Sequence, residues 1–193
     1  KYGQLKLRFC CYDKPYNFSD QCTMGGREAN GDVVVFFNDD VRPLHASWLE
    51  DLIELLAGPG VGAVSPNLIY ENHRIQHAGL VSGVRGLVGT GFHCLPESTT
   101  EYFCFAQSVP NVSALSGACF AMLRKVFLDV GGFDAVNTPI MHSDVDLSFK
   151  IREAGFRCVY TPHAKLLHIG HQSLSEFDKK KEKDSQDKAD IFL

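Results

Sequence analysis

The sequence lacks the long apolar run that a membrane-spanning helix requires. No stretch approaches the ~18 apolar residues needed to cross a bilayer, and Lys1-Tyr2-Gly3-Gln4 carries no hydrophobic segment of the export-signal kind. An excess of basic residues is also absent, because 19 Lys and Arg face 23 Asp and Glu, for a net charge of −4. The composition therefore argues against a nucleic-acid partner, whose binding surface would normally be basic.

The sequence also lacks a pattern of paired cysteines. The seven cysteines are odd in number and contain no Cys-x-x-Cys spacing, so we expect reduced thiols in a cytoplasmic protein rather than a disulfide framework or a zinc site. The 193 residues, 45% of them hydrophobic, are typical of one globular domain. We assign this domain to residues 1–175 and predict that the Lys- and Asp-rich residues 176–193 form a solvated tail or linker.

Hydrophobic patterning predicts alternating strands and helices. Strands are predicted over residues 5–9, 33–37, 61–64, 67–70, 112–123 (broken at Gly117), 156–160 and 165–168, and residues 75–81 are predicted to pair nearby; helices are predicted over 19–29, 124–130 and 143–155, with one more from Ser47 to a stop at 58–60. Capping boxes are predicted at Ser47 with Glu50 and at Ser143 with Asp146, and residues 84–108 are predicted to be a long loop. The alternation favours an α/β sandwich on a mostly parallel sheet, with the apolar 33–37 strand in its middle.

A cluster of polar side chains, Asn38-Asp39-Asp40, directly follows the 33–37 strand. Ligands of such sheets bind outside the carboxyl ends of the strands, and Mg²⁺ and Mn²⁺ prefer oxygen ligands. Asn and Asp are also good turn formers, so the local pattern alone is equally consistent with a simple turn.

The wider context of this cluster resembles family 2 glycosyltransferases. The resemblance spans roughly residues 16–173 and is carried by Ala29-Asn30-Gly31 through Asn38-Asp39-Asp40, Ile75-Gln76-His77-Ala78-Gly79, Gly117-Ala118-Cys119-Phe120, Val130-Gly131-Gly132-Phe133-Asp134, Asp144-Val145-Asp146-Leu147 and Arg152-Glu153-Ala154-Gly155-Phe156. It implies the GT-A fold, a Rossmann-like α/β/α sandwich, and inverting transfer of a sugar from a nucleotide-sugar donor to a saccharide or other hydroxyl acceptor. Similar enzymes usually build bacterial surface polysaccharides.

The resemblance also implies a metal site. Asp40 matches the last, metal-binding position of the family's DxD motif, which holds Mn²⁺ or Mg²⁺ against the donor diphosphate. Asn38 stands where many relatives carry aspartate, and Asp39 is expected to meet the donor ribose or phosphate. His168 resembles a downstream histidine that completes the metal site in some relatives; the alternatives are a backbone-bonded histidine in a closing loop and a metal role for His171 instead.

Asp144 resembles the catalytic base of the family's E-D-x-D-L motif, although Ser143 replaces the preceding glutamate. A carboxylate in this role deprotonates the attacking hydroxyl. Asp146 is expected to be structural, at the helix N-terminus. Gly117 and Ala118 match the segment beneath the donor sugar and acceptor, where small residues admit a ligand; a bulge in a buried strand is the alternative.

The family's first nucleotide-binding βα units have no counterpart before residue 16, so we expect an N-terminally truncated fragment that alone binds a nucleotide sugar weakly or is inactive. The missing strands would leave a sheet edge open to dimer formation. A membrane-associated acceptor, at the inner face of the membrane, is a further expectation. The competing interpretations are a non-catalytic sugar- or partner-binding module with the same fold and a metal-dependent phosphohydrolase.

Overall fold

A computed structural model describes residues 6–84 and 87–169 of the chain. Its helices are α1 (Phe18–Glu28), α2 (Trp48–Leu56), the one-turn α3 (Glu101–Cys104), α4 (Arg124–Asp129) and α5 (Ser143–Glu153), with a 3₁₀ turn over Phe105–Gln107. Its strands are β1 (Val33–Phe37), β2 (Val41–Pro43), β3 (Val61–Ile69), β4 (Ile75–His77), β5 (Leu80–Ser82), β6 (Val88–Thr90), β7 (Asn111–Val112), β8 (Cys119–Leu123) and β9 (Arg157–His168). None of the helices in these ranges combines the length and the hydropathy that a membrane crossing demands.

One large sheet organises the described residues. Its strand order is β1-β8-β3-β9-β2, with β4 added to β3 and β7 added to β9, while β5 and β6 form a separate pair. The predicted α/β class is confirmed, but the prediction of a mostly parallel sheet is wrong for the described strands. There, β3 and β9 run parallel and the other pairings are antiparallel. Hydrophobic patterning indicates which faces of a strand are buried, but it does not indicate whether neighbouring strands run parallel or antiparallel.

Strand β1 lies at one end of this order, which corrects its predicted place in the middle of the sheet. Within the described ranges it pairs with β8 alone, from Val33 opposite Leu123 to Phe37 opposite Cys119. Its uninterrupted apolar run has a different cause. Val34 and Phe36 pack into the core on one face of the sheet, whereas Val33 and Val35 pack against the core on the other face.

The two cores hold the sheet from both sides. On one face Phe36 meets the rings of Phe120, Phe127 and Phe133 with centroid separations of 4.9, 5.2 and 5.0 Å. On the other face α2 buries its apolar stripe against β3, β8 and β9. Because both faces of β1 and β8 are packed, the backbone at the ends of these strands has little freedom to move.

Several predicted element boundaries are corrected. Helix α1 begins one residue early, with the Asn17 side chain accepting a hydrogen bond from the Asp20 N–H (2.9 Å). Neither predicted capping box forms. Ser47 makes no capping hydrogen bond, and the N-cap position of α5 is His142, in the left-handed region and without a capping side-chain bond, while the Ser143 hydroxyl donates to a carbonyl before the helix. A serine hydroxyl can bond to nearby backbone groups other than the helix N–H groups, so the cap pattern alone does not fix its partner.

The boundaries of several predicted strands are also corrected. The pairs predicted at 61–64 with 67–70 and at 156–160 with 165–168 each form one strand, β3 and β9, joined across a register shift. The predicted 112–123 strand is instead β7 and β8, separated by a turn. Residues 6–9 of the predicted 5–9 strand are not in a strand, the 84–108 loop contains β6 and α3, and the predicted tail at 176–193 lies outside the described residues.

Two neighbouring glycines in α1 should respond oppositely to the same substitution. A Cβ at Gly25 would meet nothing within 4 Å, whereas a Cβ at Gly26 would run into the Phe127 ring. We expect Gly25→Ala to raise the free energy of unfolding by about 0.5–1 kcal/mol, because alanine restricts the unfolded chain. Gly26→Ala should lower it by about 1–3 kcal/mol through overpacking. Urea denaturation of both variants tests this, and stabilisation by both would contradict the packing described.

Candidate functional site

The polar triplet after β1 forms a turn at the sheet edge. The Val41 N–H donates to the Asn38 carbonyl (3.2 Å), which reverses the chain between β1 and β2. The turn interpretation is therefore right. A turn here is also compatible with a ligand site, because it leaves the three side chains exposed to different degrees. Asp39 is exposed, Asn38 is half-buried, and the Asp40 side chain is only 21% exposed.

The structure brings Asp40 and His168 together. Strand β2 pairs with the end of β9, so that Val41 lies opposite His168 and the Ile169 N–H donates to the Asp40 carbonyl (3.1 Å). As a result Oδ1 of Asp40 lies 3.2 Å from Nε2 of His168, with both side chains mostly buried. His168 is the last residue of β9, and its ring contacts the side chains of Asp40 and Gln76.

Asp40 and His168 fit a small divalent cation. Oδ1 of Asp40 is buried and accepts no hydrogen bond of acceptable geometry, although the imidazole is near. Two ligand atoms at right angles around Mg²⁺ lie ~3.0 Å apart, since each is about 2.1 Å from the ion, and the 3.2 Å separation is close to that value. No third His, Cys, Asp or Glu joins them within residues 6–84 and 87–169.

Gln76 completes this group, and the sequence analysis assigned it no role. Nδ1–H of His168 donates to Oε1 of Gln76 over 2.6 Å. The residue belongs to a motif that supports the family resemblance, but its contact with His168 depends on β3 lying between β4 and β9. A single sequence offers no signal for that juxtaposition.

Asp144 lies in the first turn of α5, with its carboxylate held by backbone donors. The Gly117 N–H donates to Oδ2 (2.6 Å) and the Val145 N–H donates to Oδ1 (2.9 Å). Desolvation by burial raises the pKa of Asp144, and these hydrogen bonds oppose the rise only in part. The Ser148 hydroxyl also donates to the Asp144 carbonyl (2.6 Å). Asp144 is thus a rigidly oriented carboxylate with an elevated pKa, which is the property expected of a general base.

Asp146 differs from Asp144 although both open the same helix. Its carboxylate is buried and pairs with Lys150 one turn later, with Oδ2 2.7 Å from Nζ. Burial raises the pKa of Asp146, and the lysine opposes that rise. Its predicted structural role agrees with this ion pair, whereas the predicted capping box with Ser143 does not form.

Gly117 and Ala118 bond to both the turn after β1 and Asp144. The Asn38 N–H donates to the Ala118 carbonyl (3.0 Å), and the adjacent Gly117 N–H holds Asp144. These two small residues form a turn before β8, so the alternative of a bulge within a buried strand is not observed. A Cβ at Gly117 would lie 3.3 Å from both Cβ and Oδ2 of Asp144, so a larger residue would press on this carboxylate. Asn38 of the acidic turn and Asp144 therefore both bond to the backbone of this two-residue segment.

His77 and His171 do not contribute to the contacts described above. His77 is 2% exposed, its Nε2 lies 3.1 Å from the Ser65 hydroxyl, and burial lowers its pKa to about 3, so it is a packed core residue. His171 lies outside the described residues.

All seven cysteines fall within the described ranges, and none is bonded to another.

Comparisons with known proteins identify the family. The chain is 33% identical over 165 residues to the O-antigen biosynthesis protein RfbC of Myxococcus xanthus, covering 85% of this chain and 13% of that protein. It is 30% identical over 149 residues to N-acetylglucosaminyl-diphospho-decaprenol L-rhamnosyltransferase of Mycobacterium tuberculosis, covering 71% and 47%. The chain spans less than half the length of these curated relatives.

A solved structure and a family profile complete the comparison. The structure of GalNAc-T7 with UDP, GalNAc and Mn²⁺ superposes with a TM-score of 0.65 over 84% of this chain and 32% of that one, at 16% identity, and confirms the predicted GT-A fold. The sequence profile described as "Glycosyltransferase like family 2" matches residues 7–185. Because that match covers most of the chain, the chain belongs to glycosyltransferase family 2.

Proposed function

We propose that this chain carries the metal-binding and acceptor-activating part of an inverting glycosyltransferase of bacterial surface polysaccharide synthesis. The observation that carries the proposal is the contact of Asp40 with His168, in a turn whose Asn38 bonds to Ala118, next to the Gly117 N–H that holds Asp144. The name of the Myxococcus relative, an O-antigen biosynthesis protein, supports the substrate class. The Mycobacterium relative, whose name specifies a lipid diphosphate acceptor, supports a saccharide acceptor associated with a membrane.

The donor would bind over the acidic turn. Asp40 and His168 would hold Mn²⁺ or Mg²⁺, and the bound ion would neutralise negative charge that develops on the leaving nucleoside diphosphate. The presence of UDP and Mn²⁺ in the GalNAc-T7 structure supports this pairing of ligands. We assign the exposed Asp39 and the half-buried Asn38 to donor contacts, with Gly117 and Ala118 beneath the sugar, where their small side chains leave room.

Asp144 would act on the acceptor. Its carboxylate accepts the proton of the attacking hydroxyl while that oxygen forms the new bond to the anomeric carbon and the diphosphate oxygen leaves from the opposite side. A single in-line displacement of this kind inverts the anomeric configuration. Hydrogen bonds from the Gly117 and Val145 N–H groups fix the direction of the carboxylate, and its raised pKa strengthens it as a base.

Two further features shape the proposal. Seven unbridged thiols suit a reducing compartment, so we place the reaction in the cytoplasm, at the inner face of the membrane. The outer edge of β1 pairs with no strand among the described residues, and we propose a dimer through this edge.

Ser143 stands where the family motif has glutamate, and its hydroxyl donates to a preceding carbonyl. This difference motivates the second candidate function, a non-catalytic sugar-binding module.

Replacing the proposed base separates the two candidates. In the complete protein we expect Asp144→Asn to lower kcat by about 10²–10⁴-fold, because the variant cannot accept the hydroxyl proton, with donor affinity nearly unchanged. Steady-state kinetics and donor titration measure both quantities. Asp129→Asn, at an exposed ion pair on α4, serves as the control. Turnover in the Asp144 variant equal to that of the native protein would exclude the base assignment.

Replacing Asp40 tests the metal site. We expect Asp40→Ala to abolish the Mn²⁺-dependent part of donor binding in the complete protein, because it removes a buried ligand atom. Asp32→Ala, at an exposed position directly before β1, is the matched control and should bind as the native protein does. Isothermal titration with and without Mn²⁺ provides the measurement. Retention of Mn²⁺-dependent binding in the Asp40 variant would rule out this site.

The proposed base should also reduce stability at neutral pH. A carboxyl group whose folded-state pKa is raised contributes stability at low pH that is lost as the pH rises through that pKa. In Asp144→Asn the amide oxygen can accept from the Gly117 N–H, but the amide nitrogen cannot accept from the Val145 N–H. That loss is present at every pH, so the free energy of unfolding of the native chain relative to the variant should fall as the pH rises from about 4 to 7. Urea denaturation at both pH values tests this; a relative stability of the native chain that rises over this interval would contradict it.

A further inference from the structure

Gln76 stands out within the motif Ile75-Gln76-His77-Ala78-Gly79. On β4, Ile75 and His77 are buried at 0% and 2% exposure, and Gln76 between them is half-buried. Strand alternation directs Gln76 to the sheet face opposite to its two neighbours. On that face its Oε1 accepts a hydrogen bond of 2.6 Å from Nδ1–H of His168.

The backbone that carries Gln76 is fixed on both edges. On one edge β4 pairs with β3, with His77 opposite Leu68. On the other edge the Ile75 N–H donates to the Leu95 carbonyl and the Cys94 N–H donates to the Ile75 carbonyl, both over 2.8 Å. The buried His77 ring adds an anchor through its contact with Ser65. Gln76 therefore extends its amide from a strand that is hydrogen-bonded on both edges.

We propose that Gln76 is a positioning residue that sets the orientation and tautomer of His168. An amide oxygen only accepts hydrogen bonds, so its partner Nδ1 must carry a proton. In the neutral ring the lone pair then belongs to Nε2, the atom that lies 3.2 Å from Oδ1 of Asp40. Without this contact the ring could rotate or change tautomer and withdraw Nε2 from Asp40.

This inference rests on the proposed function, because it assumes that Asp40 and His168 hold a divalent cation and that Gln76 positions His168 for it. Partners that fix a ligating imidazole typically change metal affinity by about 10–100-fold when removed. Gln76 would not touch the ion itself. Its effect would pass through the imidazole, and it should therefore be visible on the histidine before any metal is added.

The first experiment measures the imidazole in the metal-free chain. Histidine ¹⁵N labelling and long-range ¹H–¹⁵N correlation at pH 8 report which ring nitrogen carries a proton, and His168→Gln identifies the relevant signals by their loss. We expect Nδ1 of His168 to be protonated in the native chain and to lose this fixed state in Gln76→Leu. An unprotonated Nδ1 in the native chain, or the same state in both proteins, would overturn the proposal.

The second experiment measures Mn²⁺ affinity by calorimetry. Gln76→Leu should bind Mn²⁺ about 10–100-fold more weakly than the native chain. Gln76→Glu, which keeps an acceptor oxygen, should recover most of this loss. Gln107→Leu removes a glutamine hydrogen bond to the Glu97 carbonyl and should bind as the native chain does. Unfolding midpoints of all variants separate a local effect from a loss of folding. Equal Mn²⁺ affinity in the native and Gln76→Leu chains would refute the positioning role.

The two experiments distinguish this inference from the function on which it rests. If the native chain does not bind Mn²⁺ but Nδ1 of His168 keeps its Gln76-dependent proton, the proposed metal site fails and the orientation of the ring by Gln76 stands. If Mn²⁺ binds and depends on Asp40 but not on Gln76, the metal site stands and the inference fails.

Discussion

The short contact between Asp40 and His168 is the constraint on which the candidate site depends. It exists because β2 pairs antiparallel with the last residues of β9, which places Val41 opposite His168. Side chains alternate along a strand, so a shift of one residue in this register would turn His168 to the other face of the sheet. Three residues of β2 therefore decide whether the turn after β1 has a nitrogen partner at all.

Keeping carboxylates at this edge has a free-energy cost that the rest of the fold must offset. Oδ1 of Asp40 is buried without a hydrogen bond, and burial raises the pKa of Asp144. An unbonded buried oxygen and a desolvated carboxylate each have such a cost. The two cores that cover the sheet supply the compensating stability. The phenylalanine cluster around Phe36 also anchors β1 directly before the acidic turn.

The site joins parts of the chain that are distant in sequence. Asp144 reaches the sheet edge because the backbone of Gly117 holds its carboxylate, and Gly117 is adjacent to Ala118, whose carbonyl binds the Asn38 N–H. His168 is held by Gln76 from a strand more than ninety positions earlier in the chain. These contacts use backbone groups or a side-chain amide, which carry no charge at physiological pH. They therefore leave the charge of the groups that would bind substrate and metal unneutralised.

The α/β fold class could be read from the sequence alone, and the sequence also supplied the residues that we propose for the site. The apolar run at 33–37, the polar residues directly after it and the aspartates at the start of α5 are local patterns, and local patterns survive in a single sequence because they reflect burial and helix-end chemistry. Strand directions, the edge position of β1, the failure of the Ser143 capping box and the contact of Gln76 with His168 were decided only by the tertiary structure. All four depend on which strand or side chain becomes the spatial neighbour of another, and the pairing of distant segments leaves no periodic trace in the sequence.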